Sequence, residues 1–232
     1  MRRPVRVLGS LLIAAGALTL IWVVIVWQWQ DPFTAIYTHF QQERLAHAYA
    51  KRAEQYHPRR FHPISGASTA TATVRADVAR EARAYGRSLQ RGEAVGRIHI
   101  SRIGLNMVLV QGTDDATLQK GPGHYIDSGL PGEGSLIYIA GHRTTYLAPF
   151  ADIDKIRVGD AVTVEMPYGT FTYRVTRHYI VSADQLEVLR NHGTEILRLQ
   201  ACHPRFFATH RYIVDAKLVS IDPPAAARST SS

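Results

Sequence analysis

An uncharged run of 23 residues, VLGSLLIAAGALTLIWVVIVWQW at 7–29, constrains this chain more than any other feature. About 20 apolar residues in a helix cross the hydrocarbon core of a bilayer. The run therefore predicts one membrane span. Arg2, Arg3 and Arg6 precede it, which predicts a cytoplasmic N-terminus at 1–6 and an extracytoplasmic remainder. Trp27 and Trp29 fit the outer interface, where indole rings prefer to sit. A cleaved signal peptide has a shorter apolar core and ends in small residues. This run ends in Trp and Gln, so an uncleaved signal anchor is the expected reading.

The formal charge of +8 invites a nucleic-acid role. Its distribution argues against one. Residues 31–93 carry 10 Lys/Arg against 6 Asp/Glu, whereas 94–232 carry 14 against 13. The basic excess thus lies beside the membrane segment, where it serves topology and contact with anionic surfaces. No nucleic-acid partner is expected. Cys202 is the lone cysteine, so no intramolecular disulfide can form, and an exported lone thiol suggests a reactive group or intermolecular pairing.

Beyond the span, Phe33, Ile36, Tyr37 and Phe40 share one face of a helix. That face can lie on the membrane or pack on the following domain, and a short amphipathic connector is expected. Residues 57–73, rich in Pro, Ser, Thr, Ala and Gly, read as a linker. Val74–Gln90 reads as a short helix, completing a stalk over 30–93. From Ala94 the pattern changes to strands: Val95–Ile100, Met107–Gln111, Ser135–Ala140, Ala161–Met166, Thr170–Val181, Glu195–Ala201 and Tyr212–Ile221. Gly and Pro clusters at 121–123 and 131–134 punctuate them. Phe150–Ile156 reads as one short helix. Short strands at this spacing predict a closed barrel or sandwich over 94–221. Residues 222–232 read as a disordered tail.

Three strand ends carry reactive side chains. His142 follows the apolar strand that ends at Gly141. Cys202 ends the strand Leu197–Ala201, ahead of His203 and Pro204. Arg211 begins the last strand. A thiol is a poor nucleophile until deprotonated, and a neighbouring cation favours the thiolate. Attack on a peptide carbonyl builds negative charge on oxygen, which a guanidinium can stabilise. An imidazole can protonate the departing amine. Spacing alone leaves rivals open. His203 is a competing base, although neighbours on a strand point to opposite faces. By the same alternation His210 competes with Arg211.

The segment IAGHRTTYLAPFADIDKIRVGD at 139–160 resembles the catalytic-histidine region of class E sortases. ACHPRFFATHRYIV at 201–214 resembles that family's cysteine–arginine region, and GPGHY at 121–125 and LPGEG at 130–134 are also similar. The resemblance covers roughly 94–221. It implies an all-β fold, an eight-stranded sortase-type β-barrel with short helices, preceded here by the transmembrane helix and a helical or linker stalk. It implies Cys202, His142 and Arg211 as catalytic residues, with no cofactor and no metal. It further implies a cysteine transpeptidase that cleaves a Leu-Ala-x-Thr-Gly-like sorting signal between Thr and Gly. The acyl group then passes to an amine of a cell-wall peptide precursor. The implied partners are sorting-signal-bearing secreted proteins, that amine and the membrane. Tyr125 is similar in position to a family tyrosine that favours Ala over Pro in the signal, and Thr144 and residue 201 are implied substrate contacts. At 201 the chain departs from the family. The usual Thr-Leu-x-Thr-Cys is here Arg198-Leu199-Gln200-Ala201-Cys202, without either hydroxyl.

Other functions fit less of the sequence. A pilin-polymerising sortase shares the same chemistry. A non-catalytic, membrane-tethered wall-binding module needs neither Cys202 nor His142. A zinc hydrolase lacks H-E-x-x-H, paired cysteines and clustered ligand spacing. An L,D-transpeptidase is expected to have a Ser/Gly-rich approach to its cysteine, and Leu197–Ala201 is an apolar strand instead.

Overall fold

The computed structural model describes residues 2–29, 32–57, 64–65 and 69–222. Most of the 57–73 linker, the tail beyond Asp222 and the side chains of Trp27 and Trp29 lie outside the described residues. Helix α1, Arg2–Trp29, contains a segment, Pro4–Val24, long and apolar enough to cross a membrane, and none of it is buried against the protein.

The globular part is a closed barrel. Its strands are β2 (Ala94–Ile100), β3 (Leu105–Gln111), β4 (Gly123–His124), β5 (Leu136–Ala140), β6 (Ala161–Met166), β7 (Gly169–Ser182), β8 (Ile196–His203) and β9 (His210–Asp222); β1 (Ile64–Ser65) adds to the outer edge of β9. They pair in the order β9-β7-β6-β2-β3-β4-β5-β8, and β8 pairs again with β9 to close the ring of eight. Closure gives every strand of the ring a neighbour on both sides for at least part of its length. The pairings β3–β4 and β5–β8 are parallel.

Alternation along the strands fills the barrel. Ile98, Ile100, Ile137, Ile139, Leu197 and Leu199 point inward and are fully buried. Helix α3 (Thr69–Ser88) adds Val78, Ala82 and Tyr85 to the same core, and Tyr85 donates its hydroxyl to Val95 O at 2.9 Å. A buried phenol without an acceptor would cost about 1–3 kcal/mol.

Three elements differ from the sequence-based expectation. The strand Gly123–His124 begins at the last residue of a Gly-Pro-Gly stretch read as punctuation, and two residues carry no alternation to reveal it. The helix expected at Phe150–Ile156 contracts to the 3-10 turn Ile153–Lys155. The connector after the span is a full helix, α2 (Pro32–Gln55), docked on the barrel.

The docking has a specific cause. Strand β3 pairs with β4 only at Val110 and Gln111, so its backbone is open at Val108. Gln42 of α2 takes that place. Its Oε1 accepts from Val108 N–H at 2.8 Å, and its Nε2 donates to Val108 O at 3.0 Å and Lys120 O at 2.8 Å. Around it, Leu45 and Tyr49 pack on Ala94, Val108 and Val110. Thr38 donates to Gln119 O at 2.8 Å, and Tyr49 to Glu165 O at 3.1 Å.

Candidate active site

The site is built on the outer face of the barrel, at one end of β5, β8 and β9. Strands β5 and β8 run parallel, with Ala140 opposite Gln200. Gly141 N–H continues the ladder to Gln200 O at 3.0 Å. His142 and Cys202 therefore each lie two residues beyond a registered pair, at the same level of neighbouring strands. On the other side, β8 and β9 run antiparallel with Cys202 opposite Arg211. Opposed residues project from the same face of a sheet, so the thiol and the guanidinium share the outer face.

The alternation also separates the rival histidines from Cys202. His203 opposes His210, and both belong to the face opposite Cys202 and Arg211. Arg143 donates to His203 Nδ1 at 2.9 Å, and His203 lies against the Tyr212 ring at 5.9 Å. His210 is exposed and bonded to Thr209 Oγ1 at 2.9 Å.

The residues expected to meet substrate separate by the same rule. Tyr125 lies on the outer face, its ring edge-on to Tyr138 with centroids 6.1 Å apart. Thr144 sits in the loop beyond His142, partly buried. The Ala201 side chain does not reach the outer face. Its methyl is fully buried in the barrel core, because residue 201 has the opposite parity to Cys202. The hydroxyl missing at 201 is thus missing from the interior, and only the backbone of Ala201 is available to a substrate.

The floor beside Cys202 comes from residues that sequence reasoning passed over. Gln200 accepts a short hydrogen bond from the Tyr138 hydroxyl. Arg198 lies below, 4% exposed, and grips Asp215, 2% exposed, through Nε at 2.6 Å and a terminal nitrogen at 2.9 Å. Its other terminal nitrogen donates to Val188 O at 2.6 Å. This bidentate pair occupies the position where the family pattern has its first threonine. Tyr138, Ala140, Val181, Val188 and Ile213 make an apolar cluster on the outer face.

The histidine loop is held by several contacts. Gly141 has no room for a side chain, since a Cβ there would lie 2.7 Å from the Phe150 ring. Phe150 N–H returns to His142 O at 3.1 Å. Tyr146, Leu147 and Ala148 take φ of 54°, 60° and 37°, a left-handed run that costs an L-residue about 1–2 kcal/mol each. Tyr146 N–H is satisfied by Thr34 Oγ1 of α2 at 3.0 Å, and the Tyr146 ring lies 5.1 Å from that of His142. Burial lowers the His142 pKa below the ordinary imidazole value, opposed by the charge of Asp115. His142 Nε2 is buried without a partner among the described residues.

Arg143 is the other residue that sequence reasoning missed. It follows His142 directly and is 4% exposed. Its guanidinium pairs with Asp154 at 2.7 Å, donates to Cys202 O at 3.4 Å and His203 Nδ1 at 2.9 Å, and stands 5.9 Å over the Tyr212 ring. One planar fork thus ties the histidine loop to the end of the cysteine strand. Arg205 repeats the tie from the β8–β9 loop, reaching Asp152 at 3.0 Å. Both carboxylates belong to the segment Asp152–Lys155. Arg211 donates to Ala208 O at 2.8 Å and His210 O at 3.0 Å. No group of three or more His, Cys, Asp or Glu among the described residues is placed to hold a metal ion.

Residues 98–219 match the family described as Sortase domain. The chain is 35% identical over 133 residues to Sortase D of Bacillus subtilis (strain 168), a stretch covering 56% of this chain and 66% of that protein. The matches to curated relatives span 66% or less of each relative's length. Sortase E from Streptomyces avermitilis superposes with a TM-score of 0.53 at 32% identity, covering 58% of this chain and 93% of that one. A Clostridium perfringens Sortase D5 transpeptidase shares the fold, with a TM-score of 0.61 at 22% identity over 77% of this chain and 98% of that one.

Proposed function

This chain belongs to the sortase family, and on that premise we propose that it is a membrane-anchored cysteine transpeptidase acting on sorting signals of secreted proteins. The supporting observation is the double register, with Arg211 opposite Cys202 on β9 and His142 two residues past the end of β5, level with Cys202. In this reading α1 is an uncleaved anchor with a cytoplasmic N-terminus, 30–93 is the stalk and 94–221 the catalytic barrel.

The Cys202 thiolate attacks the carbonyl carbon of the Thr–Gly bond in a Leu-Ala-x-Thr-Gly-like signal. Arg211 donates to the oxygen that becomes negative in the tetrahedral intermediate. His142 gives its proton to the glycine nitrogen as the C–N bond breaks, leaving a thioacyl-enzyme. His142 is then neutral and accepts a proton from the incoming amine of a cell-wall peptide precursor. The new amide forms and the thiolate departs. Tyr125 contacts the signal from the apolar face it shares with Tyr138, and Thr144 contacts it from the histidine loop.

The test incubates the full chain in nanodiscs with a quenched-fluorescent Leu-Ala-x-Thr-Gly peptide and an amine acceptor. Thiol-dependent cleavage between Thr and Gly, with the amine joined to Thr, is expected. Cleavage unaffected by Cys202→Ala would overturn the assignment. Preference for a Leu-Pro-x-Thr-Gly peptide would overturn the class E signal alone.

A further inference from the structure

Helix α2 has two unlike outward halves. Its inward stripe, Thr34, Thr38, Gln42, Leu45 and Tyr49, is engaged by the barrel. Outward, its first turns present Ile36, Tyr37 and Phe40, which are 58%, 43% and 60% exposed. Its later turns present Glu43, Arg44, His47 and Lys51, all exposed. Apart from His39, which pairs with Glu43 at 3.2 Å on the flank of the helix, the change from apolar to charged falls between residues 40 and 43, within one turn. A helix solvated along its whole length is polar along its whole outward face, and this one is not.

The apolar end is the end next to the membrane span. The Phe33 ring packs on Trp22, with centroids 5.6 Å apart, and Trp22 belongs to the span Pro4–Val24. The start of α2 is therefore level with one end of the span. Aromatic and aliphatic side chains at that depth partition into the zone between headgroups and acyl chains.

We propose that the first turns of α2, with Ile36, Tyr37 and Phe40 as the inserted side chains, lie in the lipid interface and hold the catalytic barrel at a fixed attitude to the bilayer. This rests on the anchoring proposed above. It gives α2 two partners at once, lipid on one side and β3 on the other. It also links the membrane to the catalytic loop, because Thr34 on the inward side caps Tyr146 beside His142.

The full chain carrying Cys202→Ala accepts a single introduced cysteine, labelled with an environment-sensitive fluorophore. Ile13→Cys, Phe40→Cys and Lys51→Cys proteins are reconstituted in phosphatidylcholine/phosphatidylglycerol vesicles, with and without nitroxide-bearing lipid. The label at 40 shifts to the blue and is quenched by the nitroxide lipid, whereas the label at 51 does neither. The label at 13 reports the span itself. If 13 is quenched and 40 behaves like 51, the inference fails and the anchor stands. If 13 is also unquenched, the anchoring fails and the inference with it. If 40 is shielded from lipid and self-quenches as protein density rises, a second copy covers this face and the inference fails. An otherwise native Ile36→Ser/Phe40→Ser chain, checked for unchanged melting, gives an independent arm. It turns over a soluble signal peptide at the native rate and loses rate several-fold on a vesicle-bound acceptor. Equal loss, or none, on both substrates contradicts the inference.

Discussion

Cys202 and Arg211 are register partners across β8 and β9, nine residues apart in sequence and directly opposed on the outer face of the barrel. The pairing gives the thiol and the guanidinium one environment without any long-range loop to align them. Strand ends of a closed barrel are fixed by neighbours on both sides, which suits groups that must be held within a fraction of an ångström.

Arg211→Ala is expected to lower kcat/KM by about 10²–10³, the loss typical of one oxyanion donor. Arg211→Lys should recover little, because an ammonium cannot reproduce a planar fork. Steady-state kinetics on the signal peptide decide this. Full activity in the Lys variant contradicts the oxyanion role.

Arg143→Gln should separate positioning from chemistry. The substitution removes the tie between Asp154, His203 and Cys202 O. Misplacing reacting groups by about 1 Å costs roughly 10²-fold. Transpeptidation should fall by that order while Cys202 is still alkylated by a small haloacetamide. Loss of both in proportion would mean that the thiol itself was damaged.

Burial lowers the His142 pKa, and Asp115 raises it. A ring-proton NMR titration should place His142 below the ordinary imidazole value of about 6.5. Asp115→Asn should move it further down. An upward shift in the variant contradicts the arrangement.

His124 offers a pH dependence of stability that is independent of catalysis. It is buried, bonds Gly129 O through Nε2 at 2.9 Å and lies 2.9 Å from the Gln111 amide through Nδ1, and burial lowers its pKa to about 4. The folded pKa is below the unfolded one, so the unfolded chain binds more protons in between. The contribution is therefore fully present above about pH 6.5 and is lost as pH falls toward 4, on the order of 1–3 kcal/mol. Denaturant melts from pH 7 to pH 4 should show this slope, and His124→Gln should flatten it. An unchanged slope contradicts the assignment.

Gln42→Leu leaves Val108 N–H and O without partners on the open part of β3. About 1–3 kcal/mol of stability should be lost, read as a fall in the melting temperature with the barrel strands retained by circular dichroism. An unchanged melt would mean that α2 is not anchored there.

Seven of the eight barrel strands were legible because each is rich in β-branched or aromatic residues between turn residues. Gly123–His124 was not, since two residues embedded among glycines carry no period. The proposed trio of Cys202, His142 and Arg211 was legible by residue type and strand-end position, but its geometry was not. Which of Arg211 and His210 shares a face with Cys202 depends on the β8–β9 register, and the level of His142 on the β5–β8 register, neither of which local sequence encodes. Ala201 illustrates the same point, because its parity assigns it to the core. Gln42 and Arg143 were illegible for another reason. Each has the composition of a surface residue and acquires its role only from a distant partner, an open strand edge in one case and the Cys202 carbonyl in the other.

Intact-mass analysis of the full chain, quenched in acid during turnover of a Leu-Ala-x-Thr-Gly peptide without added amine, is the most direct test. The expected result is a mass increase equal to the acyl portion ending in Thr, mapped to Cys202, absent in Cys202→Ala and discharged by an added amine. Amine transfer that proceeds in Cys202→Ala, or an adduct mapped to another residue, would contradict nucleophilic catalysis by Cys202.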